Sequence, residues 1–423
     1  MRDALALLSR ERDFRRVYAA QLVQLGGDWF VLVPLLTLLT RLTGGGLFAG
    51  LVLAADTVAL AALSPYAGTL VDRIDRRHII VSANLASAAL VLLLLFVTSA
   101  GAAPLALMVV AGIAAAKAFS TPSASAALPN LVDARDLPTA SVLAGASWGV
   151  MLTVGGAAGG LLAAVAGEAA CVLVACGLYV LAAVTVARTR RSFQAEGERA
   201  SRSGFADDVR ETVTYARGHP RVAALLAVKS GVGVGNGVVA LYPLLAVAYG
   251  AGPLAVGILF SARGLGALIG PLALRRRATD PVRLPGLLAA SMLAYGVCYA
   301  LAGWVGLLPL AVLLVVIAHV GGGANWVLSV FALQATVPDR LRGRVFSADL
   351  MIATLAVGGS QLLAGLLSDA VDVRVLTSAF GVATFVYGLV WYAVVRRLPE
   401  ERAPETLTEA AKGAISGDRR RAA

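Results

Sequence analysis

Two apolar runs, Leu47 to Ala67 and Ile79 to Thr98, enclose the stretch Gly68 to His78, in which six of eleven residues are ionisable. A run of about 20 apolar residues is the length that crosses a bilayer as a helix. The charged stretch cannot be buried unpaired, so it is predicted to sit at a membrane surface between two spans. The same alternation governs the whole chain. Of its 423 residues, 58% are hydrophobic and 14% charged, and the mean hydropathy is +0.80. A soluble domain cannot hide that much apolar surface. The runs do not alternate polar and apolar as barrel strands would, so the spans are predicted to be helices.

Twelve spans are predicted: 15–39, 47–67, 79–98, 104–127, 138–164, 168–187, 221–248, 253–274, 283–303, 307–335, 346–367 and 375–395. The tenth is expected to start late or to kink at Gly321-Gly322-Gly323. Arginines gather before span one (Arg2, Arg10, Arg12, Arg15, Arg16) and after spans two, four, six, eight and ten, whereas the opposite loops hold only Arg41 and Arg374. The excess of positive charge predicts a plasma-membrane protein with both termini cytoplasmic. The same rule accounts for the formal net charge of +11, so nucleic acid is not an expected partner. Met1-Arg-Asp-Ala lacks a cleavable-signal pattern, and the first span is expected to act as its own insertion signal. Cys171, Cys176 and Cys298 fall inside apolar spans with neither metal-ligand spacing nor a disulfide framework, and are read as small core residues.

The chain divides into a first bundle (1–187), a cytoplasmic linker (188–220), a second bundle (221–398) and a polar tail (399–423). Within the linker, Phe205, Val209, Val213 and Ala216 recur at helical spacing against Asp207, Asp208, Arg210, Glu211 and Arg217, which predicts an amphipathic helix on the inner surface. The halves echo one another. Gly270 to Arg275 repeats the Gly-x-Leu-x-x-Arg of Gly68 to Arg73, Gly160-Leu-Leu recurs at Gly365, and Phe14 corresponds to Pro220, at offsets of 202, 205 and 206 residues. The fold class is therefore an all-α membrane protein, twelve transmembrane helices in two pseudo-symmetric six-helix bundles related by an axis along the membrane normal.

Gly68, Leu70, Asp72, Arg73, Arg76 and Arg77 meet a Gly-x-Leu-x-Asp-Arg-x-x-Arg-Arg pattern between spans two and three, with Asp75 where Gly is frequent. By these residues the chain resembles the major facilitator superfamily. Gln24-Leu-Gly-Gly-Asp28-Trp, Phe119-Ser-Thr-Pro122 with Leu128-Pro129-Asn-Leu-Val, and Val337-Pro338-Asp-Arg-Leu-Arg-Gly343-Arg-Val look like segments of its macrolide- and siderophore (enterobactin)-exporter branch. The resemblance implies alternating access, with the halves rocking about a central cavity. It also implies that Asp72 meets the start of span eleven, near Arg344 to Ser347, in a latch on the cytoplasmic side; the alternative is that Asp72 only anchors its loop. Gly155, Gly156, Gly159 and Gly160 in span five are similar to the antiporter motif of efflux members, with Gly156 where that motif has Pro. Close helix packing through small residues explains them equally well.

Charges within spans are few: Asp28, Asp56, Lys117, Lys229 and Arg263, with His319 as a titratable addition. Each charge costs about 2.5–3.5 kcal/mol near mid-membrane on insertion scales, so each is expected to face a cavity or a partner. Asp28, Asp56 and Lys117 lie on spans one, two and four, which share one half in the resembling fold. Asp28 is the first candidate for a coupling proton and Asp56 the second, a carboxyl taking a proton from outside and releasing it inside. A static Asp–Lys117 pair that orders helices is the competing reading. Lys229 and Arg263 either contact substrate or stiffen the second half. His319 is a cavity donor or a hydrogen-bonded packing residue. Trp29, Trp148, Tyr242, Asn325 and Trp326 are possible cavity liners.

No Gly-x-x-x-x-Gly-Lys-Ser/Thr occurs, and no metal or Ser/His/Asp constellation stands out at a membrane face. No cofactor, no metal and no enzymatic activity are expected. The partners expected are a small-molecule substrate, protons and the lipid bilayer, with the protein a monomer. The reading is a secondary active transporter, a proton-coupled exporter of an amphiphilic, drug- or macrolide-like molecule. Its alternatives are export of a siderophore or lipid-like metabolite, or a non-transporting membrane receptor or enzyme that reuses the fold.

Overall fold

In a bilayer the main chain has no water to bond, so each apolar run satisfies its own N–H and C=O groups as a helix. A computed structural model describes residues 2–71, 74–133, 135–193, 205–274 and 283–398. The membrane helices are α1 (Arg12–Thr43), α2 (Leu47–Val71), α3 (Arg76–Phe96), α4 (Ala103–Leu131), α5 (137–166) and α6 (168–187) in the first half. In the second half they are α7 (Pro220–Ala248), α8 (Pro253–Leu274), α9 (Leu284–Ala302), α10 (Leu308–Thr336), α11 (Asp339–Leu367) and α12 (Val373–Val395). Among the described residues, 10 helices are long and apolar enough to cross a membrane. One of them, Thr139–Ala187, is 49 residues long and folds back as α5 and α6, and Leu47–Val71 completes the twelve.

Local chemistry sets the ends. Asp75 caps α3 by accepting from the Arg77 N–H at 2.8 Å, and Asp372 caps α12 through the Arg374 N–H at 2.8 Å. Proline opens α4, α5, α7, α9 and α10, where its missing N–H is no loss. The reversal between α5 and α6 is made by Gly167 at φ 80° and ψ 172°, a conformation that a Cβ would oppose.

The two halves repeat one packing scheme. Helix α2 packs on α4 as α8 packs on α10; α3 packs on α4 as α9 packs on α10; α3 lies against α5–α6 as α9 lies against α12. Two seams join the halves, α5 against α8 and α2 against α11, and they are equivalent under the same repeat. Both close on glycine. A Cβ at Gly160 would come 2.9 Å from the Gly257 Cα, and one at Gly50 would come 2.8 Å from the Gly365 Cα.

Three features depart from the sequence expectation. Helix α10 runs unbroken through Gly321-Gly322-Gly323, because those positions admit the Ser291 carbonyl of α9, the Tyr295 ring and the Ala267 carbonyl of α8 rather than a bend. Helix α7 is instead interrupted by a 3-10 turn over Asn236–Leu241, every residue of which is buried. Ser360 donates to the Gly233 carbonyl at 2.7 Å and Gln361 to Asn236 Oδ1 at 3.3 Å, so α11 supplies partners where the α7 ladder changes. A short helix, Arg2–Arg10, also precedes α1.

The expected linker helix spans Phe205–Gly218. Tyr215 and Ala216 rest on an apolar cluster of Val222, Leu226, Leu333, Val337, Leu341 and Val345, and Glu211 pairs with Arg344 of α11. Leu161, Val165, Leu173, Leu181, Leu313, Leu363 and Val390 are among the large apolar side chains left exposed, as lipid-facing surfaces require.

Candidate functional site

The first half holds a cavity of about 650 Å³. It runs from Phe14, Tyr18, Leu128 and Ser141, at the Arg-rich ends of α1, α4 and α5, to Asp28, Asp56 and Lys117 at mid-helix depth. At that depth Lys117 Nζ donates to Asp56 Oδ1 at 2.9 Å and stands 3.7 Å from Asp28 Oδ2. The other oxygen of Asp28 accepts from the Tyr179 hydroxyl of α6 at 2.7 Å. Gly27 makes room for that ring: a Cβ there would come 3.2 Å from Tyr179. The structure thus brings together three residues of the predicted set. Their side chains are 14% (Asp28), 31% (Asp56) and 20% (Lys117) exposed, so the group is shielded yet in contact with the cavity. Two carboxylates share one ammonium.

The second half is arranged otherwise. Lys229 of α7 pairs with Asp349 of α11 and lies 4.9 Å from the Trp326 ring of α10. The two side chains are 2% and 3% exposed. A second polar chain lies in the same half: Tyr242 and Tyr299 hydroxyls lie 2.6 Å apart, and Tyr299 is 2.8 Å from His319 Nε2. Asn325 donates to Ser291 Oγ at 3.2 Å. Lys229, His319, Tyr242, Asn325 and Trp326 are not on the wall of the first-half cavity, whereas Trp29 and Trp148 are. Arg263 of α8 stacks over Trp148 of α5, its Cζ 5.5 Å from the ring centre.

The glycines of α5 divide between two neighbours. Gly155 and Gly159 face Trp29 of α1, and Gly156 and Gly160 face Phe260 and Gly257 of α8. Asp72 and Arg73 of the loop motif lie outside the described residues, as do Arg275 and the tail from Pro399, while Gly68 lies on α2. The motif's later arginines bind within their own half. Arg76 donates to the Ala126 and Phe193 carbonyls at 2.8 and 3.0 Å, and Arg77 to the Arg191 carbonyl at 2.7 Å. Asp13 accepts from the N–H groups of Arg190 and Arg191 at 3.0 and 2.8 Å, and Arg191 pairs with Glu11 at 3.0 Å. The segment after α6 therefore straps the Arg-rich ends of α1, α3 and α4 together.

Sequence reasoning missed two partners. Asp349 lies inside the predicted span 346–367 and is visible to any count of span charges. Tyr179 lies mid-span, and a buried tyrosine hydroxyl needs an acceptor, though nothing local says which one.

A model of the family described as transmembrane secretion effectors matches residues 3–413. An uncharacterised MFS-type transporter of Mycobacterium tuberculosis is 27% identical over 360 residues, 79% of each chain, and one of Mycobacterium bovis gives the same figures. Among solved structures, a bacterial homologue of the human lysosomal transporter Spinster, inward-facing and occupied, has a TM-score of 0.73 at 15% identity, covering 92% of this chain and 97% of its own. The POT family transporter PepTSo has 0.73 at 11% identity, covering 93% and 99%, and the nucleoside transporter NupG has 0.71 at 13%, covering 90% and 99%. At these identities the likeness is one of fold.

Proposed function

Because the chain belongs to the transmembrane secretion effector family of the major facilitator superfamily, we propose that it is a proton-coupled exporter of an amphiphilic small molecule, of the branch that exports macrolides and siderophores. The observation that carries this reading is the Asp28–Lys117–Asp56 group at the depth of a cavity that reaches the Arg-rich ends of its helices. Positive charge marks the cytoplasmic side, so the cavity faces inward and both termini are cytoplasmic.

Substrate enters this cavity from the cytoplasm or the inner leaflet. Closure of the Arg-rich ends and parting of the two glycine seams then present it to the outside. A proton taken there by Asp28 breaks its pairing with Lys117, which turns fully to Asp56. Return to the inward state restores the cavity, where the proton leaves to water and Lys117 again holds both carboxylates. Each turn moves one proton inward against one substrate outward. The charges involved never leave a shielded pocket, where their mutual attraction is strong.

The test is purified protein in liposomes with an imposed pH gradient and a pH-sensitive dye inside, with erythromycin and 2-naphthoate as probes in parallel runs and the movement in protein-free liposomes subtracted. Substrate-dependent proton movement is expected from the native chain and none from Asp28→Asn. Unchanged proton-driven transport in Asp28→Asn would remove that carboxyl from the role.

A further inference from the structure

Where α1, α5 and α8 meet, the cavity wall changes character. Trp29 and Trp148 line it, with ring centres 6.4 Å apart, and Phe260 of α8 lies 5.8 Å from Trp29. Arg263 stacks over Trp148 from the second half. Two donors in this group have no acceptor. Trp29 is 7% exposed and its Nε1–H is buried without a hydrogen-bond partner, and the Nε–H of Arg263 is likewise buried and unmatched. Among the described residues no carboxylate pairs with Arg263. The polar groups Tyr242, Tyr299 and His319 bond to one another in a chain and offer Arg263 no carboxylate.

A guanidinium is always charged and carries five N–H donors in a planar fork. Stacking on an indole answers its face and leaves those donors unanswered. The carboxylates of the cavity are already engaged: Asp56 and Asp28 with Lys117, and Asp28 also with Tyr179. The cavity therefore has an acidic group held by its own cation and, apart from it, an aromatic wall of Trp29 and Trp148 behind which stands the Arg263 cation, off the wall itself; the unmatched N–H groups of Trp29 and Arg263 are buried there.

We infer that Arg263, with Trp148 and Trp29, receives the anionic head of the transported substrate, and that this substrate is a planar or aromatic carboxylate rather than a cationic amphiphile. The fork takes both carboxylate oxygens, the Trp29 N–H is a further donor, and the indole faces hold the apolar body. Because Arg263 sits on α8 and both tryptophans on α1 and α5, such a substrate touches both halves at once and is sensitive to their separation. This assignment rests on the reading of the chain as a transporter but not on its coupling to protons.

The experiment measures equilibrium binding of 2-naphthoate, methyl 2-naphthoate and 2-naphthylmethylammonium to the full chain in phosphatidylcholine nanodiscs, with binding to empty nanodiscs subtracted. The native chain is expected to bind the acid at least about tenfold more tightly than the ester or the amine, the scale of one charge-assisted contact. Arg263→Gln should abolish that preference while ester binding stays, which also shows that the variant is folded. Arg263→Lys keeps the charge and loses the fork, and should lower the preference at least about threefold. Absence of saturable binding of the acid, equal binding of acid and ester, or a preference undiminished in either variant would overturn the assignment. No gradient is applied, so failure of Asp28→Asn to uncouple transport leaves this result standing. Equal binding of acid and ester would leave proton-coupled export untouched.

Discussion

Each half holds an ion pair among its helices, and the two are treated in opposite ways. In the first half, Lys117 stands between two carboxylates that touch a cavity. In the second, Lys229 meets one carboxylate, with 2% and 3% of the side chains exposed and a tryptophan ring over the ammonium. The first group has one carboxylate more than it has cations, and it lies on a cavity wall. The second is balanced and sealed. A repeated fold therefore holds the same chemistry in two settings: a three-membered group in contact with a cavity, and a pair buried among helices that is costly to break.

That contrast is broken most severely at Lys229. Replacing it by Ala leaves Asp349 buried without its cation and is expected to cost about 3–5 kcal/mol, read as denaturant unfolding in detergent. Replacing both members together, Lys229→Met with Asp349→Leu, should recover most of that loss, because no unpaired charge remains. Lys117→Met should cost less, about 1–2 kcal/mol, since its carboxylates are reached by water, yet it should stop coupled transport. A result in which Lys117 is the more costly of the two would reverse the assignment of roles. Thiol labelling sharpens the difference without relying on stability. With the three native cysteines replaced by Ser, Asp56→Cys should react with a water-soluble methanethiosulfonate roughly tenfold faster than Asp349→Cys, because exposure governs access to the thiol. The smallest effect is expected at Tyr179→Phe, which removes one hydrogen bond from Asp28 and should lower stability by about 1 kcal/mol.

Much of this was legible before any coordinates. Apolar runs of bilayer length and the Arg asymmetry pointed to twelve helices, because bilayer thickness and charge act on sequence directly, and the spacing of Phe205, Val209, Val213 and Ala216 pointed to the linker helix. The grouping of Asp28, Asp56 and Lys117 followed from the few charges that spans admit. Pairings between distant helices were not legible. Nothing near Asp28 names Tyr179, and nothing near Lys229 names Asp349, since each contact is set by helix rotation. The 3-10 turn at Asn236–Leu241 was hidden for a related reason. Glycines crowd Gly231 to Gly237 as they crowd Gly321 to Gly323, and only the neighbours decide which run yields. On α7 the partners Ser360 and Gln361 accept a changed ladder, whereas on α10 flanking helices press in and hold it straight.

The seams between the halves are made where Gly160 meets Gly257 and Gly50 meets Gly365. At those two points the helices touch main chain to main chain, with no side chain between them. Parting them there frees no rotamers and rejoining them freezes none, so the side-chain entropy of a separation is set elsewhere on the α5–α8 seam, where Arg263 lies over Trp148 and Phe260 meets Gly156.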